Sequence, residues 1–217
     1  MIVAAHQTMM APQGAPLPYD AEVEYVESTG MQYVDTGVVG ATPCRIQIRF
    51  AITSPGAYTT LFGINQSSVR LTGPTNSAGA KLGIGYGSYV GYQYTFSTGV
   101  FADGDWVFDP AATSFSINGT ALSTNTFADG IDHSPYTIPL FCYRSYSNPS
   151  LYRISARIAS CTIRQGSGLP LVRDYIPVRI GTTGYLYDRA NPTGGPNGNG
   201  LYGNAGTGSF TLGPDKT

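Results

Sequence analysis

"CRIQIRFAI", residues 44–52, is the stretch that decides the fold class. Ile46, Ile48 and Phe50 face one way, and Arg45, Gln47 and Arg49 face the other. That period of two is what a strand with one face in a core and one in water requires. The same texture continues in both directions. Upstream, "EVEYVE" (22–27) and "MQYVDTG" (31–37) read as strands on either side of "STG". Downstream come "TTLFGI" (59–64), "SSVRLTG" (67–73), "AKLGIGYG" (80–87) and "YVGYQYTF" (89–96). "FSINGTAL" (115–122) carries Asn118-Gly119, a two-residue hairpin signal. "TIPLFCYR" (137–144), "LYRISARIASCTI" (151–163) and "LVRDYIPVRI" (171–180) complete the set. No window of about fifteen residues has helical periodicity, and roughly ten or more short strands in one domain predict a sandwich or barrel.

Composition agrees. Of 217 residues only 12% are charged, whereas Gly (28), Pro (15) and Tyr (16) are abundant. Turn formers and aromatics suit short strands with tight turns, and the residues of long surface helices are scarce. A hydrophobic content of 41% is enough for a core. The net charge of −1 gives no global field for nucleic acid, so none is expected as a partner. Lys and Arg are absent before Arg45, while Arg144, Arg153, Arg157, Arg164, Arg173, Arg179 and Arg189 crowd the last third. This predicts that basic C-terminal strands lie near the acidic N-terminal one. Cys44, Cys142 and Cys161 are odd in number, widely spaced and without a CxxC pair, so buried free thiols are expected.

Residues 1–20, with Pro12, Pro16 and Pro18, read as an extended N-terminal arm, and 21–217 as one domain. The first residues lack a basic start and their apolar run is short, which reads as no secretory signal; no stretch is long enough to insert in a membrane. "NPTGGPNGNGLYGNAGTGSF" (191–210) is Gly- and Asn-rich, but Leu201, Tyr202 and Phe210 punctuate it as anchors, predicting an ordered, irregular closing segment.

Two stretches together carry a resemblance. "EYVESTGMQYVDTG" (24–37) resembles the opening of the concanavalin A-like, laminin-G-like jelly-roll domains of phage and prophage structural proteins and bacterial surface proteins. "LVRDYIPVRIGTTGYLYDRANP" (171–192) followed by "LYGNAGTGSF" (201–210) resembles their closing segment, with "NPTGGPNGNG" (191–200) as an insertion. The resemblance spans roughly residues 21 to 213. It implies an all-β, antiparallel two-sheet jelly-roll sandwich with the N- and C-terminal strands adjacent. Members often bind carbohydrate, and many are structural or adhesive modules without catalysis; fold alone does not assign function.

Glu22, Glu24 and Glu27 raise the question of catalysis. Family-16-type glycosidases share this sandwich and carry Glu-x-Asp-x-Glu, or a bulged form one residue longer. Retaining chemistry needs two carboxyls about 5 Å apart. The three glutamates match the bulged spacing with Glu in place of Asp, but on the first strand, expected at a sheet edge rather than on the strand lining a cleft. Those enzymes also line the cleft with several tryptophans, and this chain has only Trp106. The glutamates are read as an exposed face and no catalytic residue is assigned. His6 and His133 have no nucleophile partner, and no G-x-S-x-G is present. "GIGYGSYVG" (83–91) has Ser88 where a phosphate loop needs its third glycine.

Asp103, Asp105 and Asp109 around Gly104 are weak calcium candidates, with an Asx turn before a strand as the alternative; no other cofactor is expected. The tyrosines suggest a ligand surface. Tyr86, Tyr89, Tyr92 and Tyr94 lie close together, and Tyr143, Tyr146 and Tyr152 flank Arg144 and Asn148. A sugar offers apolar C–H faces and hydroxyl edges, so aromatic planes beside Arg, Asn and Asp suit a glycan. Tyrosines are also ordinary strand residues, half buried with the hydroxyl in water.

These readings converge on a non-enzymatic phage virion protein: head fibre, decoration or tail-associated. It would be assembled in the host cytoplasm and carry a jelly roll for host-surface or glycan attachment. The alternative is a carbohydrate-binding adhesion module of a bacterial cell-surface protein, and less favoured again is a glycoside hydrolase of the same fold. The expected partners are other virion proteins or sister subunits in a homo-oligomer, engaged through residues 1–20. An uncharged segment with Ile2, Val3, Met9 and Met10 gains little in water, and its prolines prevent regular strand pairing. Deleting residues 1–18 should leave a soluble, normally melting domain that no longer assembles; thermal melting with co-sedimentation or light scattering measures both properties.

Overall fold

The computed structural model describes residues 16–41, 43–54, 59–64, 67–72, 80–86, 88–109, 114–122, 132–145, 148, 150 and 152–217; side chains of 67–72, 80–86, 88–96 and 132–135 lie outside the described set. Among the described residues there is no helix, and so none long and apolar enough to cross a membrane. The strands, in chain order, are β1 (Ala21–Glu22), β2 (Val26–Thr29), β3 (Val34–Ala41), β4 (Cys44–Ser54), β5 (Thr59–Ile64) and β6 (Ser67–Thr72). Then follow β7 (Ala80–Tyr86), β8 (Ser88–Phe96), β9 (Ala102–Phe108), β10 (Ser114–Ile117), β11 (Thr120–Leu122) and β12 (Asp132–Leu140). Last are β13 (Ser155–Gln165), β14 (Leu171–Ile180), β15 (Thr183–Asp188), β16 (Leu201–Tyr202) and β17 (Thr211–Leu212).

They form two antiparallel sheets in a sandwich, the expected class. The larger runs β11-β10-β9-β4-β13-β14-β15-β16, with β1 beside β14 and β2 between β13 and β17. The smaller runs β3-β12-β5-β6-β7-β8. In β4, Ile46, Ile48 and Phe50 are buried while Arg45, Gln47 and Arg49 reach outward, as the alternation predicts. Asn118 and Gly119 both take positive φ (50° and 74°), the backbone of a two-residue hairpin turn, and join β10 to β11.

The chain ends meet. Residues 22–27 pair along one side with β14 and then β13, and along the other with the last residues. Val23 bridges Asp215, Thr211 registers with Glu27, and Lys216 N donates to Glu22 O at 2.9 Å. The opening strand is therefore interior to the sheet, not at the edge where the sequence placed it, because the chain's own C-terminus covers it. Tyr19 and Asp20, grouped with the arm from the sequence, dock on the fold. The Tyr19 ring lies 5.0 Å from that of Tyr187, and Asp20 N donates to Arg179 O at 2.9 Å.

Phe62 from the small sheet packs edge-on against Trp106 of the large one, ring centres 5.4 Å apart. The Trp106 indole occupies the space over Gly104, where a Cβ would come within 1.7 Å of it, so only glycine admits this packing. At the β3 edge, side chains of the other sheet cap the free carbonyls. Arg173 Nε (3.1 Å) and Tyr175 Oη (3.2 Å) donate to Thr36 O, and Gln165 Nε2 donates to Val39 O (2.8 Å) and Ala41 O (3.1 Å). Covering an edge in this way prevents strand addition by another chain.

The "RDYIP" and "YD" motifs form this clasp. The Asp188 carboxylate has no exposed surface; its Oδ1 accepts from the backbone N–H groups of Asp174 (2.9 Å) and Ala190 (3.0 Å), and Arg173 Nε lies 3.5 Å from Oδ2. The Tyr202 ring meets Tyr175 edge-on at 5.1 Å and lies 5.7 Å from the Arg173 guanidinium. Leu201, Tyr202 and Phe210 are buried, as the anchor reading predicts. Arg173→Ala strands a buried carboxylate and should cost about 3–5 kcal/mol, whereas Arg45→Ala on the outer face should cost under about 1 kcal/mol. Urea unfolding of the two variants measures the contrast.

Candidate functional site: a furrowed outer face of the large sheet

The outward residues of β4, β9 and β13 form a ladder. Ser160 registers with Arg49 and Arg49 with Asp103; Thr162 registers with Gln47 and Gln47 with Asp105. Opposed cross-strand residues share a face and touch. Arg49 Nη1 donates to Asp103 (2.9 and 3.1 Å), Arg45 Nε to Asp105 Oδ1 (2.9 Å), Gln47 Nε2 to Asp105 Oδ2 (3.2 Å) and Thr162 Oγ1 to Gln47 Oε1 (3.4 Å). The Asp105 carboxylate holds the Arg45 proton more firmly than usual, chiefly through that hydrogen bond.

Two furrows cut this face. One, of about 400 Å³, runs between Gln47, Arg49, Asp103, Asp105, Ser116 and Thr162. The other, of about 510 Å³, is walled by Glu22, Glu24, Arg49, Phe101, Arg189 and Lys216 over a floor of Ala159 and Ser160. The half-buried Phe101 ring lies 5.5 Å from the Arg49 guanidinium and 6.0 Å from the Tyr25 ring, which Arg157 covers at 4.5 Å. Aromatic planes, guanidinium groups and carboxylates thus meet on one surface, the chemistry that suits a sugar's two kinds of face. Sequence reading missed Phe101, Tyr25 and Ser160. Outward Arg45, Gln47 and Arg49 were visible in the alternation, but nothing local in the sequence shows which strands lie beside them.

The tyrosine-rich positions divide. Tyr143, Arg144 and Asn148 lie on the segment after β12, each with partners of its own. Arg144 Nη1 donates to Asp35 (2.9 Å) and Thr137 (2.6 Å) and lies 5.9 Å from the Tyr136 ring. Tyr143 is buried, its ring 6.0 Å from that of exposed Tyr152, and Asn148 Oδ1 accepts from Ser150 N at 2.9 Å. Arg153 covers Tyr33 at 5.7 Å nearby. Tyr146 lies outside the described residues. So do the side chains of Tyr86, Tyr89 and Tyr92, whose backbone belongs to β7 and β8, with Tyr89 opposite Gly85 and Tyr92 opposite Leu82.

Glu27 accepts from Arg157 Nε at 2.9 Å; Glu22 lies 3.7 Å from Lys216 Nζ and accepts from Tyr19 Oη at 3.5 Å; Glu24 is exposed. Burial, then the Glu22 carboxylate, raise the Tyr19 hydroxyl above its ordinary range. The basic late strands do meet the acidic opening, as the charge distribution predicts. Asp103 and Asp105 lie on β9 itself and each holds an arginine, with half-buried Asp109 just past the strand's end. Among the described residues, no three His, Cys, Asp or Glu are grouped to hold a metal ion.

No protein-family model matches the chain, and no curated protein matches it. Among solved structures, it is similar to a provisionally assigned carbohydrate-binding protein of Bacteroides ovatus (11% identity, TM-score 0.62), covering 90% of this chain and 61% of that one. The chain thus spans about three fifths of that protein's length. It is also similar to domain 4 of AbnA, an extracellular arabinanase of Geobacillus stearothermophilus, in complex with arabinotriose (16% identity, TM-score 0.41, 60% of this chain, 64% of that). A third likeness is the CBM40 domain of the Ruminococcus gnavus sialidase bound to α2,3-sialyllactose (16% identity, TM-score 0.44, 66% of this chain, 89% of that). At these values only the first bears on this chain, and it bears on the β-sandwich fold.

Cys44, Cys142 and Cys161 are buried free thiols. Burial pushes Cys44 and Cys142 up to about 12 and raises Cys161 further. Because the thiolate is the nucleophile, native protein should not react with a disulfide reagent at pH 8, and all three should react in urea. Rapid native labelling would contradict this burial.

Proposed function

We propose that this chain is a non-catalytic carbohydrate-binding β-sandwich module, and that the furrowed outer face of its large sheet is the binding surface. The observation that carries the reading is the meeting of the Phe101 ring with Arg49, Asp103 and the hydroxyls of Ser160 and Thr162 on one open surface. Rings stack on sugar C–H faces, and charged and hydroxyl groups bond the edges. The fold shared with the Bacteroides ovatus protein is in keeping with it. No catalytic role is assigned to the glutamates, since Glu27 and Glu22 are each held by a cation. A cell surface or an extracellular assembly is the setting this reading favours. The virion setting rests on the sequence resemblance and on the reading of the first residues, and residues 1–15 of the arm that would serve it lie outside the described residues.

One stacking contact supplies only about 1 kcal/mol, so single-site affinity should be weak and avidity should come from several copies. A glycan array probed with multimerised protein should give signals that fall about fivefold to tenfold with Phe101→Ala, a loss of roughly 1.4 kcal/mol or less. Loss on Tyr152→Ala or Tyr89→Ala, with Phe101→Ala silent, would move the site to the tyrosine-rich segments. A blank array would sink the reading.

A further inference from the structure

The two furrows adjoin, and this inference rests on the carbohydrate-binding reading. Arg49 and Ser160 line both. A β-bulge produces the join: Ile158 registers with Phe50 and Ser160 with Arg49, so β13 holds an extra residue there. Ile158 and Cys161 stay buried, and the two residues between them, Ala159 and Ser160, both reach the outer face. Bulges re-aim side chains in this way. Both side chains are small, so the floor stays open where two larger ones would close it.

We propose that the two furrows form one trough that takes a neutral, linear glycan lengthwise across the strands, with Ser160 at its midpoint. The trough crosses β10, β9, β4 and β13 to reach residues 22–24, four strand spacings or roughly 19 Å, which accommodates several sugar units rather than one terminal residue. Charge defines the ligand class. Arg49 is held by Asp103, Arg189 by Asp174 and Lys216 by Glu22, while Asp105 is held by Arg45. Glu24 is the one charged group along the trough with no ion pair among the described residues. A surface whose cations are all paired and whose spare group is a carboxylate accepts hydroxyl donors and disfavours uronic or sialic acids.

Isothermal titration with soluble xylan, laminarin and galactomannan, their oligosaccharides, and polygalacturonate tests this. One neutral series should gain at least about tenfold in affinity from disaccharide to hexasaccharide. Ser160→Trp, filling the floor at an outward position, should remove about tenfold or more of the binding with the melting temperature unchanged, and well beyond the loss on Ser160→Ala, which deletes one hydroxyl and leaves the floor open. Affinity independent of chain length, preference for polygalacturonate, or binding untouched by Ser160→Trp would overturn the trough and leave carbohydrate binding standing. Length dependence needs no variant, so it decides the matter even if Ser160→Trp misfolds. No binding of the wild type to any of these polymers or on the array would sink both.

Discussion

A carboxylate with no exposed surface, that of Asp188, must find its partners inside the protein, and the arginine that stands beside it, Arg173, is also one that reaches the other sheet. Two backbone amides of 174 and 190 bind one oxygen, and Arg173 stands beside the other. The same Arg173, with Tyr175, reaches across to the Thr36 carbonyl on the edge of the small sheet. Tyr202, brought by the closing segment, then packs on both. The β14–β15 hairpin, an inter-sheet contact and the return of the C-terminal segment thus converge on Arg173. The last residues can then pair along the opening strand.

Scarcity of charge has a second consequence. Most of the described charged side chains on the outer face are already paired across strands: Arg45 with Asp105, Arg49 with Asp103, Arg157 with Glu27 and Arg189 with Asp174. Such a surface has little field with which to steer an ion, yet it is dense in oriented donors and acceptors. Under the proposed function, recognition there would depend on hydrogen-bond geometry and ring faces rather than on net charge, which suits hydroxylated ligands better than nucleic acid. Depth comes from the backbone: the bulge in β13 sets two small residues side by side where alternation would have hidden one of them.

The sequence by itself determined the all-β class, the β4 alternation, the Asn118-Gly119 turn, the buried thiols and the anchors Leu201, Tyr202 and Phe210. Each depends on local periodicity, on a dihedral preference or on the burial of an apolar side chain, and such preferences are written within a few residues. It also told that late cations meet the early glutamates, as Arg157 meets Glu27 and Lys216 meets Glu22, but not that Arg173, Arg179 and Arg189 pair with late aspartates instead. Only the tertiary structure decided that the opening strand is interior, since its cover is supplied by residues almost two hundred positions away. Only it placed Phe101, Arg49, Ser160 and Glu24 around one furrow: they come from four separate segments, and register between distant strands leaves no local trace. Tyrosine clustering along the chain was legible as composition, but a shared surface is a property of strand order, which sequence neighbours do not carry.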